Sequence, residues 1–391
     1  MGIVDRWLLP DGVEDMLPSQ ARRLEEVRRR LLDLFSTWGY DYVIPPMIEY
    51  LESLLTGTGR DLDLKTFKVV DFLTGRTMGV RADITPQVAR IDAHSLNRDG
   101  VARLCYAGTV VQAQADSMLA SRTPLSVGAE LFGDSTSKAD TEIVSLMVES
   151  LKSLGFDAVH VDLGNVDIFR QLMSGLTLNT DQQELLFEAV QRKSVAEITT
   201  HCADFGLSDE DSVLLTRLPG LTGNDSVLER ARSIFRAHEG ILASIDNLQQ
   251  VSDAIAGRFT DLDIYFDLSE LRGYAYHTGI VFAAYVNGSR SLVAKGGRYD
   301  HIGQVFGREA RGATGFSIDV RSLTEKVMLP EDLRKSVWIP NVPTGEEASL
   351  WQQIQQLRAK GYIVVESGQP EGFNHHLEFQ DGQWQLVSGD K

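Results

Sequence analysis

Residues 271–279 read LRGYAYHTG, residues 294–300 AKGGRYD, and residues 311–323 RGATGFSIDVRSL. Gly273 and Gly279 bracket Tyr274, Tyr276, His277 and Thr278, and glycine lets a backbone approach a ligand closely. Two further glycine-framed stretches lie upstream, MGVRADITPQVAR over Met78–Arg90 and GTVVQAQADSMLASRTPLSVGAELFG over Gly108–Gly133. In the first, Arg81, Asp83, Thr85 and Arg90 cluster after a strand-like run. Thr85-Pro86 reads as a helix cap with proline in the first turn, leaving Arg81 and Asp83 as opposite charges suited to the two ends of a zwitterion. In the second, Glu130 sits in the apolar run Val127–Phe132. Strand alternation sets it on the face opposite Leu131, as either a solvated carboxylate or a buried acceptor for a ligand N–H such as an imidazole. Taken singly, each segment has an ordinary reading: packed aromatics, a structural histidine, a turn at GGRYD. Their order and spacing together carry the weight.

Outward from these segments, the pattern predicts mixed α+β structure. Leu24, Val27, Leu31, Leu34 and Phe35 recur at helical steps over Ser19–Trp38, with Gly39 suited to end the helix. Residues 67–72 and 76–81 flank a Thr74-Gly75 turn, and residues 103–114 and 123–133 are strand-like. Asp140–Leu154 reads as a helix, followed by a strand ending at Leu163. Residues 167–258 read as almost wholly helical, with capping boxes expected at Thr180–Gln183, Ser194–Glu197 and Ser226–Glu229. Strands return at 263–268, 279–286 and 291–294, and a short helix fits Val320–Val327. The tail reads as strand 336–340, helix 346–359, strand 361–366 and a hairpin through Asp381-Gly382. The expected organisation is a discontinuous strand-rich domain over 1–166 and 259–328, a helical insertion over 167–258, and a small α/β unit over 329–391.

The chain has 391 residues, 43% hydrophobic and 24% charged, with a formal net charge of −17. These values fit a multidomain globular protein. The acidic balance argues against nucleic acid, which is held by Lys and Arg. The basic run Arg22, Arg23, Arg28, Arg29 and Arg30 is interrupted by Glu25 and Glu26 and reads as a solvated helix face. Cys105 and Cys202 give no zinc-ligand spacing and no disulfide framework. His375 and His376 lack further ligands, so no metal site is expected, and no P-loop or GxGxxG is present. The start MGIVDRW has no signal-peptide pattern, with Arg6 excluding a myristoylation site. No run is long enough to span a bilayer, so neither membrane association nor a cofactor is expected, and the expected location is cytoplasmic.

Taken together, the segments resemble the class II aminoacyl-tRNA synthetases, specifically the histidyl branch. LRGYAYHTG is similar to that branch's RGLDYYTG, AKGGRYD to its GGRYD, and VRADIT to its LRPEGT. GAELFG resembles the GVEVFG of motif 2, ATGFSIDVRSL the GFALGLERL of motif 3, and YDYVIPPMIEY over Tyr40–Tyr50 the dimer-forming motif 1. The resemblance runs from about residue 8 to 325. It implies an antiparallel sheet flanked by helices, holding a histidine pocket. By it, Asp83 and Thr85 hold the α-amino group, Arg272 takes the carboxylate, Glu130 and His277 read the imidazole, and Tyr276 and Tyr299 line the pocket. Ser126 stands where the synthetase has Gln, and Asp83 is one methylene shorter than its Glu. His277 is expected to titrate between about pH 5 and 8 and make binding pH-sensitive.

The departures define the function implied. Where the FRxE signature of motif 2 grips ATP, this chain has Gln112 and Gln114. Ser322 replaces the motif 3 arginine, and Arg321, one residue early, would point about a quarter-turn away on a helix. An amide or hydroxyl does not supply the bidentate charged grip of a guanidinium, so adenylation and any catalytic residue are not expected. By the same resemblance, the short stretch after Lys335 is not expected to form an anticodon-binding domain. This combination resembles the regulatory subunits of ATP phosphoribosyltransferase, whose pattern RGYxYHTG carries His277 where the synthetase has Tyr. The resemblance implies activation of a short-form catalytic subunit, histidine feedback inhibition of the first step of histidine biosynthesis, and a dimer within a hetero-octamer. The alternatives are a divergent histidine-activating ligase with a non-tRNA acceptor, and a pseudoenzyme that binds no amino acid.

Overall fold

The computed structural model describes residues 7–57, 60–115, 120–289, 291–307, 309–324, 326–327, 336–339, 342–366, 373 and 375–388. The N-terminal hexapeptide with Arg6, residues 116–119 of the Gly108–Gly133 stretch, Pro340 at the end of an expected strand, and the expected boundary at 328/329 lie outside the described residues. The chain divides into two compact units, Met1–Met328 and Leu329–Lys391.

In chain order the strands are β1 (Asp41–Tyr42), β2 (Ile48–Tyr50), β3 (Phe67–Val70), β4 (Thr77–Val80), β5 (Ala102–Thr109), β6 (Leu125–Phe132), β7 (Val159–Asn165), β8 (Thr222–Gly223), β9 (Asp263–Asp267), β10 (Ile280–Val286), β11 (Ala294–Arg298) and β12 (Ala313–Asp319). Nine of these form one sheet in the order β1-β5-β6-β12-β11-β10-β7-β9-β8. Its centre, β5 to β7, is antiparallel throughout, and β1 and β9 add parallel pairings with β5 and β7. The expected antiparallel sheet flanked by helices is therefore present, with two parallel pairings outside its centre.

Both faces of the sheet carry apolar packing: Ala102, Leu104, Phe132 and Ala313 on the Glu130 face cluster with Ile84 and Val88, and two long helices cover the opposite face. Helix Pro18–Thr37 buries Val27, Leu31 and Phe35, and the Phe35 ring meets Phe316 of β12 edge-on at 5.8 Å. Helix Ser137–Ser153 buries Ile143, Val144, Leu146, Met147, Val148 and Leu151. Burying such side chains supplies the main driving force, roughly 1.5–3 kcal/mol each. A buried ion pair joins this helix to the sheet: Arg298 of β11 and Asp140, 8% and 1% exposed in their side chains, lie 3.0 Å apart. Arg298 also donates to the carbonyls of Asp134 and Thr136.

The hairpin β3–β4 forms as expected: the Gly75 N–H donates to the Asp71 carbonyl (2.7 Å), and Thr74 Oγ1 donates to Asp71 Oδ2 (2.6 Å). The helical stretch contains helices Val166–Ser174, Thr180–Gln191, Val195–Asp204, Asp209–Arg217, Ser226–Ile234 and Glu239–Ala256, together with β8, which pairs with β9 at the sheet edge. Its caps differ in part from those expected. Ser194 does receive the Glu197 N–H. The box expected at Thr180 is one residue earlier, between Asn179 and Gln182, and Ser226 is the first helical residue with no side-chain cap before it. Asn179 is the stronger acceptor, which explains the shift. The strand expected at 291–294 runs instead over Ala294–Arg298, and the helix expected over Val320–Val327 is observed over Val320–Thr324.

The second unit is a four-stranded sheet in the order β14-β13-β15-β16, with β13 Ser336–Trp338, β14 Ile363–Val365, β15 His375–Gln380 and β16 Gln383–Ser388. Helix Glu347–Ala359 contributes Leu350, Ile354 and Leu357 to its core with Val337, Val364 and Leu377. Asp381 and Gly382 both adopt positive φ, as a two-residue hairpin turn requires.

Candidate functional site

Directly paired residues on neighbouring strands share a face of a sheet. Register therefore gives one row across the cavity face as Glu130, Gly315, Gly297, Val281 and Gly164, and the next row as Tyr106, Gly128, Ser317, Lys295, Ala283 and Asp162. Four of these eleven positions are glycine, and neighbouring side chains lie close over them: Glu130 over Gly315, His277 over Gly297, Tyr106 over Gly128 and Glu270 over Gly164. A Cβ on Gly315 would lie 1.5 Å from Glu130 Oε2, and one on Gly297 would lie 2.7 Å from the His277 ring. Above this floor is a cavity of about 570 Å³, within the range of small-molecule sites. Asp83, Thr85, Glu130, Arg272, Tyr276, His277 and Tyr299 all line it.

Glu130 is 1% exposed. Tyr299 donates its hydroxyl to Glu130 Oε2, and Thr85 Oγ1 donates to Oε1 at 2.8 Å, with the Tyr106 hydroxyl 3.3 Å from Thr85 Oγ1. Burial raises the Glu130 carboxyl to about 8, against the lowering effect of these hydroxyls. The solvated reading of Glu130 is thereby excluded. Thr85 is the first helical residue of Thr85–Arg90 and not its cap. Asp83 Oδ1 instead accepts the backbone N–H groups of Ile84 (2.6 Å) and Thr85 (3.2 Å), which frees the Thr85 hydroxyl for Glu130.

His277 is 6% exposed, and burial lowers its imidazole to about 4. Its Nδ1 lies 3.2 Å from the Arg298 carbonyl. A carbonyl only accepts, so Nδ1 carries the proton and Nε2 the lone pair. The expected titration of His277 between pH 5 and 8 is thus corrected: the ring stays neutral, and Glu130 is the group poised near neutrality. The Tyr276 ring lies 4.2 Å from the His277 ring.

Other residues singled out from sequence have different positions. Arg81 does not read a ligand: its guanidinium donates to the carbonyls of Thr109 (2.9 Å) and Pro45 (2.8 Å), 6% exposed. Arg90 is paired with Glu49, which also receives Gln87 Nε2 at 2.8 Å. Ser126 is not among the cavity-lining residues; it lies four residues along β6 from Glu130, paired with Gly108 and Asp319. Arg272 lines the cavity, but Glu270 occupies both its Nη2 (3.0 Å) and its backbone N–H (2.8 Å). Gln112, Gln114 and Ser322 lie outside the cavity lining. Arg321 is engaged by Glu14 (3.0 Å) and Thr123 (3.1 Å).

The structure adds residues that the sequence motifs do not single out. Arg170 of helix Val166–Ser174 donates to the carbonyls of Tyr274 (3.0 Å) and His277 (2.7 Å), pinning the 271–279 loop. The Tyr274 ring packs against Phe169 and Phe187 at 5.5 and 5.3 Å. Lys295 was legible in principle, since alternation from Gly297 places it on the same face. Among the described residues, no group of three or more His, Cys, Asp or Glu could hold a metal, and no helix is long and apolar enough to cross a membrane.

A glycine-floored cavity with a buried carboxylate on this sheet defines a histidyl-tRNA synthetase-like protein of the class II fold. The histidyl-tRNA synthetase family model matches residues 12–323, and the model of the ATP phosphoribosyltransferase subunit HisZ C-terminal domain matches residues 334–387. A solved Bacillus halodurans protein described as an ATP phosphoribosyltransferase regulatory subunit/histidyl-tRNA synthetase superposes with a TM-score of 0.80 at 27% identity, covering 92% of each chain. The histidyl-tRNA synthetase of Nostoc sp. PCC 7120, at 17% identity and a TM-score of 0.78 over 98% of this chain and 97% of that one, shares the fold. ATP phosphoribosyltransferase regulatory subunits of Pseudomonas entomophila and Pseudomonas aeruginosa are 49% and 48% identical, each over 99% of both chains. The chain belongs to the ATP phosphoribosyltransferase regulatory subunit family, and is a non-catalytic subunit built on a synthetase fold.

Proposed function

We propose that the cavity binds histidine, and that through it this subunit conveys feedback inhibition to a short-form catalytic subunit that it otherwise activates. The observation that carries this reading is Glu130, a fully buried carboxylate held by Thr85 and Tyr299 above a glycine floor. Each carboxylate oxygen has two acceptor sites, so beyond the Thr85 and Tyr299 hydroxyls Glu130 keeps capacity for a ligand donor, and an imidazole N–H is such a donor. Tyr276 and the neutral His277 ring supply a flat wall beside it, and Asp83 provides the negative charge for an ammonium. The absence of an arginine at Gln112, Gln114 and Ser322 supports a sensor over the histidine-activating ligase.

Regulation of this kind needs two states that histidine and the partner prefer differently. In the proposed arrangement the catalytic subunit stabilises the active assembly and histidine the inhibited one. A dimer of this chain within a hetero-octamer, no nucleic-acid partner and a cytoplasmic location complete the reading, with residues 167–258 as an insertion into a domain formed by 1–166 and 259–328, and 329–391 as a separate α/β unit. The test is Glu130→Ala in the reconstituted complex. Inhibition by histidine should weaken by about tenfold, the upper end of what one hydrogen bond is worth, while the subunits still co-elute. Unchanged inhibition would remove Glu130 from the sensor.

A further inference from the structure

The histidine reading gives partners to the side chain and the ammonium, while Arg272, the partner expected for the carboxylate, is engaged by Glu270. Three cationic side chains line the cavity: Lys65, Arg272 and Lys295. Arg272 is paired to Glu270 through its side chain and backbone, and Lys65 has an interaction of its own. Among the described residues, Lys295 has no hydrogen-bond or ion-pair partner, and it projects from the sheet face that bears Glu130 and Gly297. It lies in the neighbouring row, two residues along β11 from Gly297, and its charge reaches the His277 ring, adding to burial in keeping that ring neutral. Besides Asp83 and Glu130, the acidic groups lining the cavity are Asp162, Glu184, Glu188, Asp267 and Glu270. These repel a carboxylate, so a carboxylate entering here has one uncommitted cation to meet.

We propose that Lys295 is the residue that reads the carboxylate of the bound amino acid, in place of Arg272, and so makes the site selective for an α-amino acid over the corresponding amine. This rests on the histidine reading given above. A flexible ammonium with three donors can follow a ligand carboxylate in a way that a guanidinium clamped by Glu270 cannot.

The experiment is calorimetric titration of the full chain with histidine and with histamine, which keeps the imidazole and amine but lacks the carboxylate. The unmodified protein should prefer histidine by about tenfold to a hundredfold, the range of one charge-assisted contact. Lys295→Gln should abolish that preference while leaving histamine binding unchanged, and Lys295→Arg should restore most of it. Arg272→Gln should retain the preference. Discrimination surviving in Lys295→Gln, or disappearing in Arg272→Gln alone, would overturn the assignment to Lys295 and leave the histidine site standing. Absence of binding by both compounds to the unmodified protein would overturn the histidine reading and this inference with it.

Discussion

At the scale of single residues, the site depends on two groups that burial moves in opposite directions. Glu130 is raised to about 8 and His277 lowered to about 4, each chiefly by loss of water. For Glu130 the folded state holds the proton more tightly than the unfolded chain, so its contribution to stability is full below about pH 4.5 and is lost as pH rises through about 8. For His277 the sign reverses: its contribution is present above about pH 6.5 and is lost as pH falls through about 4. Glu130→Gln mimics the protonated carboxyl, so urea titrations from about pH 5 to 8 should show a flatter stability profile than the unmodified protein. Equal slopes would mean that Glu130 is ionised in the folded protein. From sequence, alternation already put Glu130 and Leu131 on opposite faces. The pattern did not disclose which face held water, because both faces of a central strand can be covered.

At the scale of elements, glycines at chosen points of adjacent strands let Glu130 and His277 lie close against the sheet at Gly315 and Gly297. Gly315→Ala would bring a methyl group 1.5 Å from Glu130 Oε2. It should cost about 1–3 kcal/mol by overpacking and weaken histidine binding, as read by denaturant titration and calorimetry. Gly220→Ala, with nothing within 4 Å of its Cβ, should change stability by less than about 0.5 kcal/mol. The strand β11 is tied to helix Ser137–Ser153 by the Arg298–Asp140 pair, and Arg298→Ala strands a buried carboxylate. Its expected cost is about 3–5 kcal/mol, and a change under about 1 kcal/mol, the usual worth of an exposed pair, would show that the pair is solvated in solution. The long helices near residues 19–38, 140–154 and 346–359 and the two hairpin turns were legible from periodicity and turn residues, whereas the short helices Leu51–Leu54, Arg60–Lys65 and Ile302–Val305 carry no such periodicity. Local chemistry was less so: Arg81 and Asp83 look like a charge pair in the sequence, yet the fold points Arg81 at the carbonyls of Pro45 and Thr109 and leaves Asp83 in the cavity. Likewise, Arg272 is separated from Glu270 by one residue, and their pairing is decided by the loop path that Arg170 fixes.

At the scale of the whole molecule, a synthetase fold is retained, and Gln112, Gln114 and Ser322 stand where the resemblance to the synthetases implies ATP-gripping charges. The neighbouring cation Arg321 is held by Glu14 and Thr123. Electrostatic stabilisation by such cations is worth several kcal/mol in phosphoryl-type chemistry, so their replacement is consistent with a regulatory rather than a catalytic role. Histidine sensing through Glu130 is best put to the test by the rate of phosphoribosyl-ATP formation by a short-form catalytic subunit, with and without this chain and with and without histidine. This chain should stimulate the rate, and histidine should reverse the stimulation for the unmodified protein but leave it largely intact for Glu130→Ala. Stimulation that histidine leaves untouched in the unmodified protein, or inhibition that persists unchanged in Glu130→Ala, would contradict a histidine sensor in this cavity.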